Sequence, residues 1–147
     1  MTPTARPVIL IIEDDEGWQE DYAADLGGVA EILAAKTIAE ARLLFMENSP
    51  RIALIVMDGA VPKDDKTPLG ELILAPTTEN LVREFRRAGF THPIVAASSR
   101  QHFNDSLGYA GCRNHGSIKA DLSAYVRALL VEMFPAPAPT RSSPDPC

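Results

Sequence analysis

Five polar residues share one local setting: each stands at the end of a candidate strand. Glu13 and Asp14 follow VILII (8–12). Asp58 follows ALIVM (53–57), Ser98 follows PIVAA (93–97), and Lys119 follows HGSI (115–118). Carboxylates gathered in one place repel, and each raises the pKa of the others. A divalent cation removes that conflict. Oxygen ligands suit Mg2+, which takes one or two carboxylates and keeps several waters. Glu13, Asp14 and Asp58 would supply side-chain oxygens, and the backbone carbonyl of Ala60 could add another. A cation so placed would neutralise charge on a phosphoryl group. Lys119 would add a point positive charge and Ser98 a hydroxyl hydrogen bond. Asp58 would then be a carboxylate nucleophile. Singly, each residue has a plainer role: acidic pairs cap helices, serines make turns, and lysines face solvent. The joint pattern, one group per strand end, carries the argument.

That pattern requires elements that bring the strand ends together. VILII, RIALIVM (51–57) and PIVAA are strand-length runs, apolar on both faces, as in a parallel sheet covered by helices on both sides. VAEILAA (29–35) and HGSI are shorter strand candidates. Helical patterns alternate with them. Trp18, Tyr22 and Leu26 recur at spacing four before Gly27 and Gly28. Thr37 and Glu40 form a capping box ahead of Ile38, Ala41, Leu44 and Phe45. Leu81, Val82 and Phe85 share a face that closes at Gly89. A helix over 101–111 is weakened by Gly108 and Gly111, and Leu122, Tyr125, Leu129 and Met133 mark the last one. This order predicts an α/β fold: a flavodoxin-like, doubly wound (βα)5 unit with five parallel strands in the order 2-1-3-4-5. In such sheets the crevice opens at the carboxyl ends of the strands.

The 147 residues suit one domain with a tail, 46% hydrophobic and 23% charged. A net charge of −6 argues against non-specific nucleic-acid binding. Cys112 and Cys147 make no disulfide framework, which fits a reducing cytoplasm. No apolar run approaches the ~20 residues of a membrane helix, and EDDE follows the first run too soon for a signal peptide. His92, His102 and His115 lack metal-ligand spacing, so no zinc site is assigned. The domain is expected over 1–134, with a Pro-rich disordered tail over 135–147. Between the third strand and its helix lies KDDKTPLGELILAPTT (63–78), where loops usually span ~2–6 residues. It is expected to be a flap packed on the domain. Its apolar LILA (72–75) leaves open a contact surface for a partner or a second copy.

These residues resemble the receiver domain of two-component response regulators over about residues 8–134. The matching pieces are ILIIEDDE, LIVMDGAVP with Pro62 four after Asp58, PIVAASS, and SIKA with Lys119. The resemblance implies that Asp58 accepts a phosphoryl group from a histidine kinase or a histidine phosphotransfer protein. It implies that Glu13 and Asp14 hold Mg2+, and that Ser98 and Lys119 contact the phosphoryl group. The chain departs from the family where a Pro usually follows the Lys, here Ala120. It departs again where an aromatic usually signals phosphorylation, here Gly116. Ala60 and Arg100, at positions that tune phosphoryl lifetime, do not obviously orient water, so slow autodephosphorylation is expected. The expectation is a single-domain response regulator, cytoplasmic and without steady enzyme turnover, acting on an unknown downstream protein, with a homodimer possible. The competing readings are a pseudo-receiver that binds or dimerises without phosphorylation, and a haloacid-dehalogenase-like phosphatase. Ala60 disfavours the phosphatase, because it stands where a second Asp belongs. A flavodoxin-like electron carrier would need a Ser/Thr-rich phosphate loop after the first strand.

Overall fold

A computed structural model describes residues 6–70, 73–114 and 119–135. Four parallel strands form the sheet, β1 (Val8–Ile12), β2 (Glu31–Ala35), β3 (Ile52–Met57) and β4 (Ile94–Ala96), in the order β2-β1-β3-β4. The helices are α1 (Glu16–Leu26), α2 (Ile38–Asn48), α3 (Glu79–Arg87), α4 (Gln101–Ala110) and α5 (Leu122–Met133). The order agrees with the expected 2-1-3-4 portion. The strand expected at 115–118 lies outside the described residues. Beside β4, Arg113 makes an isolated parallel bridge to Val95: its N–H donates to Ile94 O (2.7 Å) and its carbonyl accepts from Ala96 N–H (2.9 Å). The tail from 136 onward also lies outside the described residues.

Alternate side chains of β1 and β3 feed two cores. Leu10, Ile12, Ile55 and Met57 pack with Phe45, Phe85, Phe90 and Leu107, on the side of α2, α3 and α4. Ile9, Ile11, Leu54 and Val56 pack with Tyr22, Leu26, Leu122, Val126 and Leu129, on the side of α1 and α5. Burial on both faces explains the unbroken apolar runs. β2 is an edge strand with Glu31 exposed, which explains its mixed composition.

Several helix faces differ in detail from the sequence pattern. Buried on α1 are Gln19, Tyr22 and Leu26, and Trp18 is only half-buried. On α5 the buried set is Leu122, Val126, Leu129 and Leu130, with Tyr125 and Met133 at the margin. Spacings of three and four alternate along a 3.6-residue helix, so a strict spacing of four drifts off the buried stripe. Thr37 caps α2 by accepting from Glu40 N–H (3.0 Å). The Glu40 carboxylate answers to Lys36 N–H (3.3 Å), one residue before the strict capping box. α4 forms in full despite Gly108 and ends at Gly111, whose φ of 126° suits glycine.

Candidate functional site

β1 and β3 are register neighbours, with Ile12 opposite Met57, so the residues that follow them meet at one rim. Asp58 N–H donates to Ile12 O (2.9 Å), and Glu13 N–H donates to Ala35 O (2.9 Å). Glu13, Asp14 and Asp58 each place a carboxylate oxygen within 4.8 Å of the other two. Glu13 and Asp58 are buried, and Asp14 is half-buried. Lys119 opens a short 3-10 turn (Lys119–Asp121), not the end of a strand within the described residues. Its ammonium pairs with Glu13 and stands 3.6 Å from Asp58 Oδ1 and 4.9 Å from the centre of the Trp18 ring.

The electrostatics follow from burying like charges. Burial, then repulsion from Asp58, pushes the Glu13 carboxyl up to about 7 against the pull of Lys119. Burial raises Asp58 as well, opposed chiefly by Lys119, and burial and Glu13 raise Asp14. Three carboxylates sharing one ammonium are under-neutralised. The donor set, hard oxygens at close quarters with one carboxyl inclined to keep its proton, fits a divalent cation.

Glu13, Asp14, Asp58, Ala60, Ser98 and Lys119 all line one open crevice of about 320 Å3. The sequence-predicted set is therefore brought together as a whole. Sequence reasoning missed the residues that hold it. The Asn104 side chain accepts from Ser98 N–H (2.8 Å) and donates to Ser98 O (2.9 Å), clamping the serine's main chain from α4. Gln19 Nε2 reaches Glu13 O (2.9 Å), Ala35 O (3.2 Å) and Ile11 O (3.3 Å), stapling the ends of β1 and β2. Thr78, fully buried, caps nothing with its side chain and donates its hydroxyl to Asp58 O (2.7 Å). Gly59 is needed for close approach: a Cβ there would lie 3.0 Å from Phe103 Cδ2 and 3.2 Å from Ser98 Cβ. A polar residue on an apolar helix face was the available signal for Gln19 and Asn104.

The insertion leaves the rim and returns to it. Pro62 O and Lys63 O accept from the first N–H groups of α2, those of Ile38 (2.9 Å) and Ala39 (3.0 Å). At the return, Thr77 N–H donates to Gly59 O (2.8 Å), and its hydroxyl joins Val61 N–H (2.9 Å) and Val61 O (2.7 Å). Between these ends Leu69, Gly70 and Ile73 wall the acidic crevice, and Arg100 holds Ile73 O (2.9 Å). At Leu69, Gly70 and Ile73, and at its two ends, the insertion meets the domain. Leu74, 78% exposed, keeps an apolar side chain on its outer side.

No protein-family model and no curated protein matches the sequence. Solved structures do match. The non-phosphorylated receiver domain of HemR from Leptospira biflexa is 22% identical, with a TM-score of 0.63 over 90% of this chain and 99% of that one. A response regulator in its Mn2+-bound form is 17% identical, with a TM-score of 0.62 over 90% and 97%. Response regulator DrrB of Thermotoga maritima is 13% identical, with a TM-score of 0.61 over 87% of this chain but only 54% of that one. The chain has the fold of response-regulator receiver domains.

Proposed function

We propose that the chain is the receiver of a phosphorelay, in which Asp58 takes a phosphoryl group from a phosphohistidine on a histidine kinase or phosphotransfer protein. One observation carries this reading. Asp58 is a carboxylate, 6% exposed, at the end of a central strand, and it shares an open crevice with Glu13, Asp14, Lys119 and Ser98. A scaffold gains nothing from burying two carboxylates, with a third beside them, around one ammonium. The carboxylate oxygen of Asp58 would attack phosphorus. The P–N bond would break, and its electron pair would return to the imidazole nitrogen, leaving an acyl phosphate. Lys119 and Ser98 would hold the phosphoryl oxygens, with Asn104 fixing the serine's main chain and Thr78 the carbonyl of Asp58. Mg2+, held by Glu13, Asp14, Asp58 and the carbonyl of Ala60, would supply neutralising charge when bound.

The reading implies a signalling module without steady turnover. It would meet its phosphodonor at the crevice and act on a downstream protein, in the cytoplasm and as a monomer or homodimer. No described helix is long and apolar enough to cross a membrane. Ala60 and Arg100 offer no carboxylate or amide to aim a water at the acyl phosphate, so the phosphorylated state should outlast seconds. The test is intact mass after incubation with Mg2+ and a small phosphoryl donor. One added phosphate is expected in the parent and none in Asp58→Asn, with slow loss of the adduct after the donor is removed. A parent that stays at its starting mass would point instead to a phosphorylation-independent binding or dimerisation module.

A further inference from the structure

Arg100 touches the crevice and the insertion at once. Its N–H donates to Ser98 Oγ (3.1 Å), and its guanidinium lies over the Phe103 ring (5.1 Å) and donates to Ile73 O (2.9 Å). Phe103 is wholly buried against Gly59, the residue after Asp58. The guanidinium is exposed, lines the crevice, and has no carboxylate partner among the described ion pairs. A cation that lines the crevice of Asp58 is therefore held by a neutral carbonyl of the insertion.

Resting on the phosphoacceptor reading, we propose that Arg100 is a positioning residue that couples the charge on Asp58 to the insertion, which serves as the element that responds to phosphorylation. Phosphorylated Asp58 carries about two negative charges in place of the carboxylate's one, and presents several strong acceptors in the crevice. A charge-assisted bond to it is roughly twice as strong as the bond to a neutral carbonyl. The guanidinium transfers from Ile73 O to the phosphoryl oxygens. The Ser98 hydroxyl turns to the same oxygens and withdraws from the Arg100 N–H. The insertion loses its side-chain tether to α4 while its base stays closed by Thr77 and Thr78. The wall carrying Leu69, Gly70 and Ile73 loosens. This route needs no aromatic at position 116.

Hydrogen exchange of the full chain, read by mass spectrometry on peptides spanning 66–78, tests the coupling. The parent is compared before and after phosphorylation with Mg2+ and a small phosphoryl donor, and intact mass confirms the adduct. Exchange in that segment is expected to rise severalfold on phosphorylation. Unphosphorylated Arg100→Ala should already show the fast exchange of the phosphorylated parent, while its α1 and α2 peptides remain protected. A confirmed adduct with unchanged exchange over 66–78 would overturn the coupling and leave the phosphoacceptor reading standing. So would an Arg100→Ala variant as protected as the resting parent. Absence of any adduct would remove the phosphoacceptor reading and the coupling with it.

Discussion

Opposite charges meet at both ends of this sheet, in opposite surroundings. At the N-terminal end Arg51 pairs with Glu31 at 3.1 Å, with 53% and 46% of the side chains in water. At the C-terminal end Lys119 pairs with Glu13 and approaches Asp58, with 7%, 2% and 9% of the side chains alone exposed. The first pair is screened and contributes about 0–1 kcal/mol. The second carries a desolvation cost of several kcal/mol per ion, which one ammonium shared among three carboxylates does not offset. Exposed pairs follow from surface composition alone. A buried, under-neutralised cluster at a crevice points to something that arrives and supplies the missing charge.

The largest effect that would sharpen the comparison is loss of the buried cation. Lys119→Met should cost about 3 kcal/mol in urea unfolding at pH 8 without divalent cations, whereas Arg51→Ala should cost less than about 1 kcal/mol. Equal losses would break the contrast. Excess Mg2+ should return part of what Lys119→Met loses and leave Arg51→Ala unaffected.

A cation should act on one end of the sheet only. At tenfold excess over its dissociation constant it stabilises the fold by about 1.4 kcal/mol, a rise of about 4 °C in Tm. Asp14→Asn should blunt that rise and Glu31→Gln should not. Proton linkage fixes the sign with pH. Glu13 sits at about 7 in the fold and near 4.5 when unfolded, so between those values the metal-free fold binds the extra proton. Its contribution to stability therefore falls as pH rises from about 4.5 to about 7, and the loss is complete above that. Mg2+ needs the ionised carboxylate, so its affinity should weaken as pH drops below 7. A cation-induced shift in Tm that is the same at pH 5.5 and pH 8 would contradict this.

A smaller effect separates the packed rim from the open surface. Gly59→Ala would press a methyl against Phe103 and Ser98 and should cost about 1–3 kcal/mol. A Cβ at Gly28 meets nothing within 4 Å, so Gly28→Ala should leave unfolding nearly unchanged. Similar melts for the two would show that the rim yields to the methyl.

The strands were legible because burial on both faces leaves an unbroken apolar run, as in VILII and IALIVM. The site residues were legible because a parallel sheet obliges the residues after those runs to share a rim. Gln19 and Asn104 were obscured by the reading of their helices. Each occupies a buried position, and a polar side chain there is worth having only if distant main-chain groups need it. Nothing near Gln19 in sequence reveals Ala35 O, and nothing near Asn104 reveals that Ser98 needs both a donor and an acceptor. The insertion was visible as excess length, but its destination was not.

The sequence by itself determined the order of elements, the alternation that makes the sheet parallel, and the identities of Glu13, Asp14, Asp58, Ser98 and Lys119. Those follow from local patterns of apolar residues and from the chemistry of side-chain types. Only the tertiary structure decided that Lys119 sits against Glu13, that Thr78 serves the carbonyl of Asp58 instead of capping its helix, and that Arg100 ties Ile73 across the crevice. Each of these is a contact between segments remote in the chain. The energy of such a contact depends on distance and burial, which no local pattern records.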